Sequence, residues 1–472
     1  MNVLLIKPQE TRKNGTFLQT NITGIYPPLG LAYIASVLRD SGNNVKILDL
    51  ETYFFNINVF EKFVKKIAPD ILLITATTLL WQDVVAIARI VKKTLPDIII
   101  GVGGPQLSVY PKESLQADAI DFGIFGEGEH TIIETLKRIN QKQGLINVDG
   151  CIFKENGKVI INSPRVEIEN LDGIPFPAID LLSYKKYLAL TVKYPFFTMI
   201  TSRGCPYKCN FCFQGYLGKY RARSAENVVE EMDILINKYG IKELIIFDET
   251  FAIEKERVFK ICDLIAKRKL KFIWNIRTRV DLLDKDILRA LRSAGCYRLN
   301  LGIESGNQST LDEMNKGLDL KEIREKTRLA KKNGFELRSY FMLAYPGETY
   351  ESILKTIDFA KTLPLDWASF TITIGLPKTE IYRRALDERY FPVDYWKEYT
   401  KNNILNTRPY FIPNDLKEKD LYKLKRKAYR EFYFRSGVIW SIINNSGLIN
   451  FVKNPVFTIK FLPYIYRSLT RV

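Results

Sequence analysis

The chain has 472 residues, 46% of them hydrophobic, which provides for two or three domains with sizeable cores and is the composition of a soluble globular protein. Six cysteines do not make a disulfide framework, Met1 to Lys7 reads as a strand and not as a signal peptide, and no uncharged apolar run reaches transmembrane length. The net charge of +17 leaves two readings open: a polyanionic partner such as nucleic acid or a membrane surface, or Lys and Arg spread over solvated helix faces, as at Lys92-Lys93, Lys331-Lys332 and 417–430.

Residues 1 to about 140 alternate strand and helix patterns. Strands are expected over 3–6, 45–48, 71–75, 98–102 and 122–125, and helices over 28–41, 59–67 and 83–94. Buried strands alternating with amphipathic helices predict a doubly wound parallel sheet, in which ligands bind beyond the carboxyl ends of the strands. Those ends carry Pro8, then Thr75 to Thr78, then Gly103-Gly104-Pro105, then Gly126-Glu127-Gly128-Glu129. Glycines and small hydroxylic residues there let a large ligand approach the backbone.

Residues 141–195 read as a connector. A β-hairpin over 151–161 turns at Glu155-Asn156-Gly157, and a proline-punctuated linker over 171–178 excludes a helix. From Phe196 the alternation resumes. A helix capped by Ser224 runs to 238, and strands over 244–247, 272–276, 298–303, 337–343 and 367–374 each end on polar or glycine-rich residues. That order predicts a parallel partial barrel with its site on one face. Residues 382–396 and 416–433 read as helices. From Phe432 to Val472 there is no Asp or Glu, and basic residues such as Arg435, Lys453 and Arg467 lie among aromatics such as Trp440 and Phe457. This tail suits an anionic membrane surface and a lipid substrate, or a pair of helices packing back on the barrel.

Between the 196–200 strand and the Ser224 helix stands Thr201-Ser202-Arg203-Gly204-Cys205-Pro206-Tyr207-Lys208-Cys209-Asn210-Phe211-Cys212. Three thiolates so spaced can converge on one metal centre, and thiolates favour iron–sulfur clusters, zinc or copper(I). A structural zinc wants a fourth ligand, and none is near in sequence. A 4Fe-4S cluster on three cysteines keeps one iron open for a substrate or cofactor.

The spacing of Cys205, Cys209 and Cys212, with Phe211 before the last, resembles the radical S-adenosylmethionine (SAM) superfamily. There the cluster reduces SAM to a 5′-deoxyadenosyl radical that takes hydrogen from unactivated carbon. The segment Tyr26-Pro27-Pro28-Leu29-Gly30, the Gly103-Gly104-Pro105 turn and the Phe125 to Glu129 run resemble the cobalamin-binding domain that precedes the radical domain in one large subfamily. Tyr220 to Ser224, Phe247 to Phe251, Gly302 to Gly306 and Pro346 to Thr349 match the same subfamily. The resemblance implies a Rossmann-like cobalamin domain over 1–140, a hairpin and linker over 141–195, a partial (β/α)6 TIM-like barrel over 196–385, and a mainly α-helical C-terminal region over 386–472. It implies SAM contacts from Phe211, Asp248, Glu249, Glu304 and Ser305. It implies cobalamin contacts from Tyr26, Pro28, Thr75, Thr77, Gly103, Gly104, Gly126, Glu127 and Gly128. The Asp-x-His-x-x-Gly motif is absent, and the one histidine, His130, reads as a capping or surface residue, so cobalamin is expected without a histidine ligand.

The activity implied is methyl transfer to an unactivated carbon of a small-molecule or lipid substrate, with an external one-electron reductant, in the cytoplasm or peripheral to the membrane. Oxidative cyclisation or ring rearrangement is the nearer alternative, and a non-catalytic cobalamin or redox carrier the more distant one. A tRNA methylthiotransferase would need further cluster cysteines in the first domain, and residues 1–150 contain none, so no nucleic-acid partner is expected.

Overall fold

The computed structural model describes residues 1–9, 24–52, 56–189, 192–213, 218–403, 408–436 and 438. Strand β1 (Asn2–Lys7) is buried at its four central apolar positions, as a parallel strand covered on both faces must be. It pairs in parallel with β2 (Asn44–Asp49) and β3 (Ile71–Thr75), and β4 (Ile99–Gly103) and β5 (Phe122–Ile124) follow in the order β2-β1-β3-β4-β5. Alternation along the strands sends Leu4, Ile6, Leu72 and Ile74 to one face, against helices α2 (Ile57–Ile67) and α3 (Trp81–Thr94). Val3, Leu5 and Leu73 go to the other, against α1 (Leu29–Asp40) and α4 (Gly128–Asn140).

The expected hairpin is present as β6 (Cys151–Glu155) and β7 (Lys158–Ile161). Its turn residues Asn156 and Gly157 both take positive φ, 49° and 73°, the geometry of a tight hairpin that follows strand twist. It is not free-standing: β6 pairs antiparallel with β5 and extends the first sheet to seven strands. The proline-punctuated segment then packs along α1, with Ala178 N donating to Ala32 O at 3.0 Å.

The second sheet holds β8 (Phe196–Met199), β11 (Glu243–Ile246), β12 (Ile273–Thr278), β13 (Cys296–Glu304), β14 (Glu336–Leu343) and β15 (Trp367–Ile372). All are parallel, each beside the next in that order, and the outer two are not paired with each other, which is an open six-stranded barrel. Between β8 and β11 a two-residue ladder joins β9 (Ser202–Arg203) to β10 (Arg221–Ala222). Helices α5 (Ala225–Asp233), α6 (Lys255–Lys267), α7 (Lys285–Ser293), α8 (Leu320–Lys332) and α9 (Tyr350–Thr362) follow successive strands. Ser224, Asp284, Asp319 and Thr349 accept backbone N–H groups at the starts of α5, α7, α8 and α9. The helix expected to 238 leaves α geometry after Asp233 and finishes as a π turn over Ile234–Lys238.

One helix was expected over 382–396, and two are present: α10 (Glu380–Asp387) and α11 (Tyr395–Thr400). Arg389, with φ at +58°, and Pro392 interrupt the helical path between them. Helix α11 docks on the first unit beside α3 and the turn after β4, where Trp81 and Gln106 donate to Thr400 and the Tyr110 hydroxyl donates to Asp394. Helix α12 (Glu418–Tyr433) covers the outer edge of β15, whose Ala368 and Phe370 N–H groups donate to the Tyr433 and Tyr429 hydroxyls. Of the acid-free tail, residues 432–436 and 438 are described and the rest lies outside the described residues. No described helix is long and apolar enough to cross a membrane.

Candidate functional site

The cysteine loop is fastened at its base and at its tip. At the base, the β9–β10 ladder pairs Arg203 with Arg221 and Ser202 with Ala222, on the two sides of the cysteines. The Asp248 carboxylate, just after β11, accepts from Thr201 N at 2.6 Å, from the Thr201 hydroxyl at 2.5 Å and from the Ser202 hydroxyl at 2.7 Å. Arg257 adds donors to Thr201 O and Arg223 O at 2.7 and 2.8 Å. At the tip, Asn210 N donates to Met314 O and Asn315 donates to Lys208 O, while the Arg279 guanidinium lies 3.8 Å from the centre of the Tyr207 ring. A loop held at so many points presents its thiols in one geometry.

Those thiols line a cavity of about 360 Å³ at the carboxyl ends of the barrel strands. Cys205, Cys209, Phe211 and Cys212 form one wall, and Glu249, Arg277, Asn300, Glu304, Lys316 and Tyr340 contribute to the rest. The volume is that of a site for a ligand of drug size, with a few polar groups to orient it. Glu304 ends β13 at a register shift and holds φ at +71°, a backbone state that non-glycine residues occupy at a cost and that clusters at functional sites. Its carboxylate accepts from Lys316 at 3.2 Å. Burial raises the Glu249 carboxyl, and the nearby Arg277 opposes that rise. Burial likewise raises the Cys209 thiol and takes the Cys212 thiol up to about 12, so metal binding must displace protons there.

The donor set fits an iron–sulfur cluster. Cys205, Cys209 and Cys212 line one cavity together, and no His joins them in its lining, whereas a structural zinc takes a fourth ligand and a 4Fe-4S cluster can be held by three thiolates. Cys151, Cys262 and Cys296 are buried and none lines the cavity, which leaves three thiolates for the centre. Acceptors on Glu249 and Glu304, a cation on Lys316 and the Phe211 ring suit an amino-acid nucleoside beside them.

Other residues expected at the site are not among those lining the cavity. Asp248 does not line the cavity, because its carboxylate is taken up by Thr201 and Ser202. Ser305 is fully buried, with its hydroxyl bonded to Thr356 at 3.0 Å and to Asn307 N. Tyr26 packs against the barrel, its ring centre 5.7 Å from Phe196 and 5.4 Å from Phe247 and its hydroxyl in electrostatic reach of Arg277 and Tyr340, which line the cavity, while Pro28 stands at the start of α1. Glu127 is engaged by Arg203 and Arg221.

At the carboxyl edge of the first sheet, Thr75 and Gly103 are register partners, and Thr77 and Gly126 are exposed beside them. Gly104 is required by its own turn, with φ at 109° and a Cβ that would fall 2.8 Å from Ala76 O. Gly128 opens α4, and His130 is exposed on that helix's first turn. This edge abuts the cysteine loop: Val109 and Tyr110 share an apolar cluster with Phe213 and with Trp396 of α11. The edge is thus lined by small residues, Thr77 and Gly126 among them exposed, which lets a large planar cofactor approach the backbone. Lys316, Arg203 and Arg221 escaped the sequence reading. Lys316 meets Glu304 only through the fold, whereas Arg203 and Arg221 belong to motifs already singled out without a role.

The model of the B12 binding domain matches residues 15–136, and that of the radical SAM superfamily matches residues 199–360. An uncharacterized methyltransferase of Pyrococcus horikoshii is 35% identical over 453 residues, 95% of this chain and 96% of that one. The anaerobic magnesium-protoporphyrin IX monomethyl ester cyclase of Rubrivivax gelatinosus is 27% identical over 89% of this chain and 76% of its own. Among solved structures, the radical SAM methyltransferase TsrM of Kitasatospora setae, with tryptophan and a SAM analogue bound, superposes with a TM-score of 0.69. It is 17% identical and covers 82% of this chain and 76% of that one, so it speaks for the fold. The chain therefore belongs to the cobalamin-dependent radical SAM enzymes, whose cofactors are a 4Fe-4S cluster, SAM and cobalamin.

Proposed function

We propose that this enzyme methylates an unactivated carbon of a small-molecule substrate. One observation carries the reading: a single cavity is lined at once by three thiols and by the Glu249 and Glu304 carboxylates. When bound, the cluster with SAM supplies hydrogen-atom abstraction and cobalamin supplies methyl transfer. Cys205, Cys209 and Cys212 would hold the cluster. Glu249 and Glu304 would accept from the SAM ammonium and ribose hydroxyls, Phe211 would lie against its adenine, and Lys316 would neutralise Glu304 or meet the SAM carboxylate. Asp248 and Ser305 would act at one remove, by fixing the loop and the β13 end. Thr75, Thr77, Gly103, Gly104, Gly126 and Gly128 would line the cobalamin edge, with no histidine reaching the cobalt.

The domain division we assign is 1–140, 141–195, 196–385 and 386–472, with the connector's hairpin built into the first sheet. An external one-electron reductant and a cytoplasmic setting belong to the same reading. So does a peripheral membrane contact through the basic, aromatic tail, supported by its sequence alone. A second reading, oxidative cyclisation, is favoured by the cyclase of Rubrivivax gelatinosus that matches 89% of the chain. Methyl-labelled SAM separates the two. Label passing to cobalamin in the reconstituted, reduced enzyme supports methyl transfer, whereas SAM cleavage with no label on cobalamin or product supports cyclisation.

A further inference from the structure

The glutamates of the Gly126-Glu127-Gly128-Glu129 run have no part in the proposed reaction, yet both are engaged. Glu127 occupies the position just before α4, but its side chain caps nothing in that helix. Its carboxylate instead crosses to the barrel. Oε1 accepts from Arg203 at 2.8 Å and from Arg221 at 3.1 Å, while Oε2 accepts from Arg221 at 2.9 Å and from Ile168 N at 2.7 Å. Glu129 accepts from the other arm of Arg203 at 2.5 Å. Arg203 and Arg221 are partners across the ladder that closes the cysteine loop, one preceding the three cysteines and the other following them. A single carboxylate from the first unit thus grips both ends of the loop. The side chains are largely withdrawn from water, at 19% exposure for Glu127, 22% for Arg203 and 9% for Arg221, where charge-assisted bonds are strong.

We propose that Glu127, seconded by Glu129, is a positioning residue that sets the geometry of the cysteine loop from the cobalamin-binding domain and does not itself contact cobalamin. The inference rests on the reading of that loop as the cluster site. A clamp that only joined two domains could sit anywhere along their interface; this one sits at the two residues from which the loop springs. Weakening these charge-assisted bonds loosens the base of a loop that Asp248 and Arg257 still hold, which raises the share of locally opened loop in which the thiolates meet competing chelators, without global unfolding.

The test uses full-length wild type, E127Q, E129Q and R203K, each reconstituted anaerobically with iron, sulfide and hydroxocobalamin. It reads cobalamin retained after gel filtration, the rate of iron loss to a ferrous chelator, and the paramagnetic resonance spectrum of the reduced cluster with and without SAM. E127Q should retain cobalamin as wild type does, lose iron roughly tenfold faster and show an altered reduced-cluster spectrum, with a smaller effect in E129Q. R203K keeps the charge but not the two-armed grip, and should resemble E127Q, which keeps the test alive if E127Q does not fold. Loss of cobalamin with wild-type iron retention and spectrum would overturn the inference and make Glu127 a cobalamin contact. A lowered melting temperature with wild-type iron loss and spectrum would overturn it too, leaving a domain clamp. A wild-type chain that takes up no iron would overturn the cluster reading and this inference together.

Discussion

Asp248 is the residue at which the expected and observed roles diverge most, and two substitutions separate them. It is 1% exposed and accepts three hydrogen bonds, one from the Thr201 backbone and two from the Thr201 and Ser202 hydroxyls. In D248A the hydroxyls can turn toward other acceptors, at about 1 kcal/mol each, but the Thr201 N–H cannot turn and is left buried and unpaired at about 1–3 kcal/mol. The base of the cysteine loop should weaken by about 3–5 kcal/mol in all, which is two to four powers of ten in its closed population. D248N keeps the oxygen that Thr201 N needs, and both hydroxyls can accept from its amide, so the loss should be about 1 kcal/mol. Iron per chain after anaerobic reconstitution should therefore fall steeply in D248A and little in D248N. SAM affinity, measured by equilibrium binding to the reconstituted protein, should stay within about twofold of wild type in D248N. Were the carboxylate a SAM-ammonium contact, loss of its charge would weaken binding about tenfold or more. A tenfold weaker SAM affinity in D248N at wild-type iron content would refute the reasoning.

Glu348 supplies a pH test. Burial raises its carboxyl to about 7, although Tyr345 N and the Thr310 hydroxyl donate to it. A carboxyl whose folded value lies above its unfolded value near 4.5 favours the folded state below that value and loses this advantage as pH rises to about 7, by roughly 3 kcal/mol. Wild type should melt lower at pH 8 than at pH 5 through this group, and E348Q should flatten that difference; an unchanged profile would contradict the assignment. Asp394 caps α11 and accepts from the Tyr110 and Tyr382 hydroxyls at 2.7 and 3.0 Å. D394A should cost about 2–4 kcal/mol locally and expose the 388–394 segment to limited proteolysis at unchanged iron content. Wild-type cleavage kinetics would count against the docking of α11 described above.

Much of the architecture was legible because strand burial and helix amphipathicity are local properties. The five parallel strands of the first sheet, the six of the second and the cysteine loop between β8 and α5 all stand where the residue pattern places them. The antiparallel docking of the 151–161 hairpin on β5 left no mark in its own sequence, since a hairpin reads the same whether or not a third strand receives it. Arg389 in a left-handed conformation, which a propensity pattern does not record, and Pro392, a breaker that the sequence did display, split an apparently continuous helix. At the site, residue type was readable and direction was not. A carboxylate after β11 serves the SAM ammonium or the Thr201 and Ser202 donors equally well, and only the tertiary structure selects between Asp248 and its neighbour Glu249 for the cavity. Glu127 met Arg203 through the packing of two units whose motifs lie far apart in the chain. Tyr26 was placed at the cobalamin edge by the resemblance of its segment, and its ring packs against Phe196 and Phe247 of the second sheet, a contact no local pattern shows.

The central claim is that Cys205, Cys209 and Cys212 hold a cluster that works on SAM next to cobalamin. The most direct measurement is 5′-deoxyadenosine formed from SAM by the reconstituted, chemically reduced, cobalamin-loaded enzyme, with the C205A/C209A/C212A variant treated alongside. The account predicts 5′-deoxyadenosine and methionine from wild type and neither from the variant, which should also retain no iron while still retaining cobalamin. Wild type that carries a full cluster and cobalamin yet leaves SAM intact under reduction, or a variant that cleaves SAM as wild type does, would contradict it.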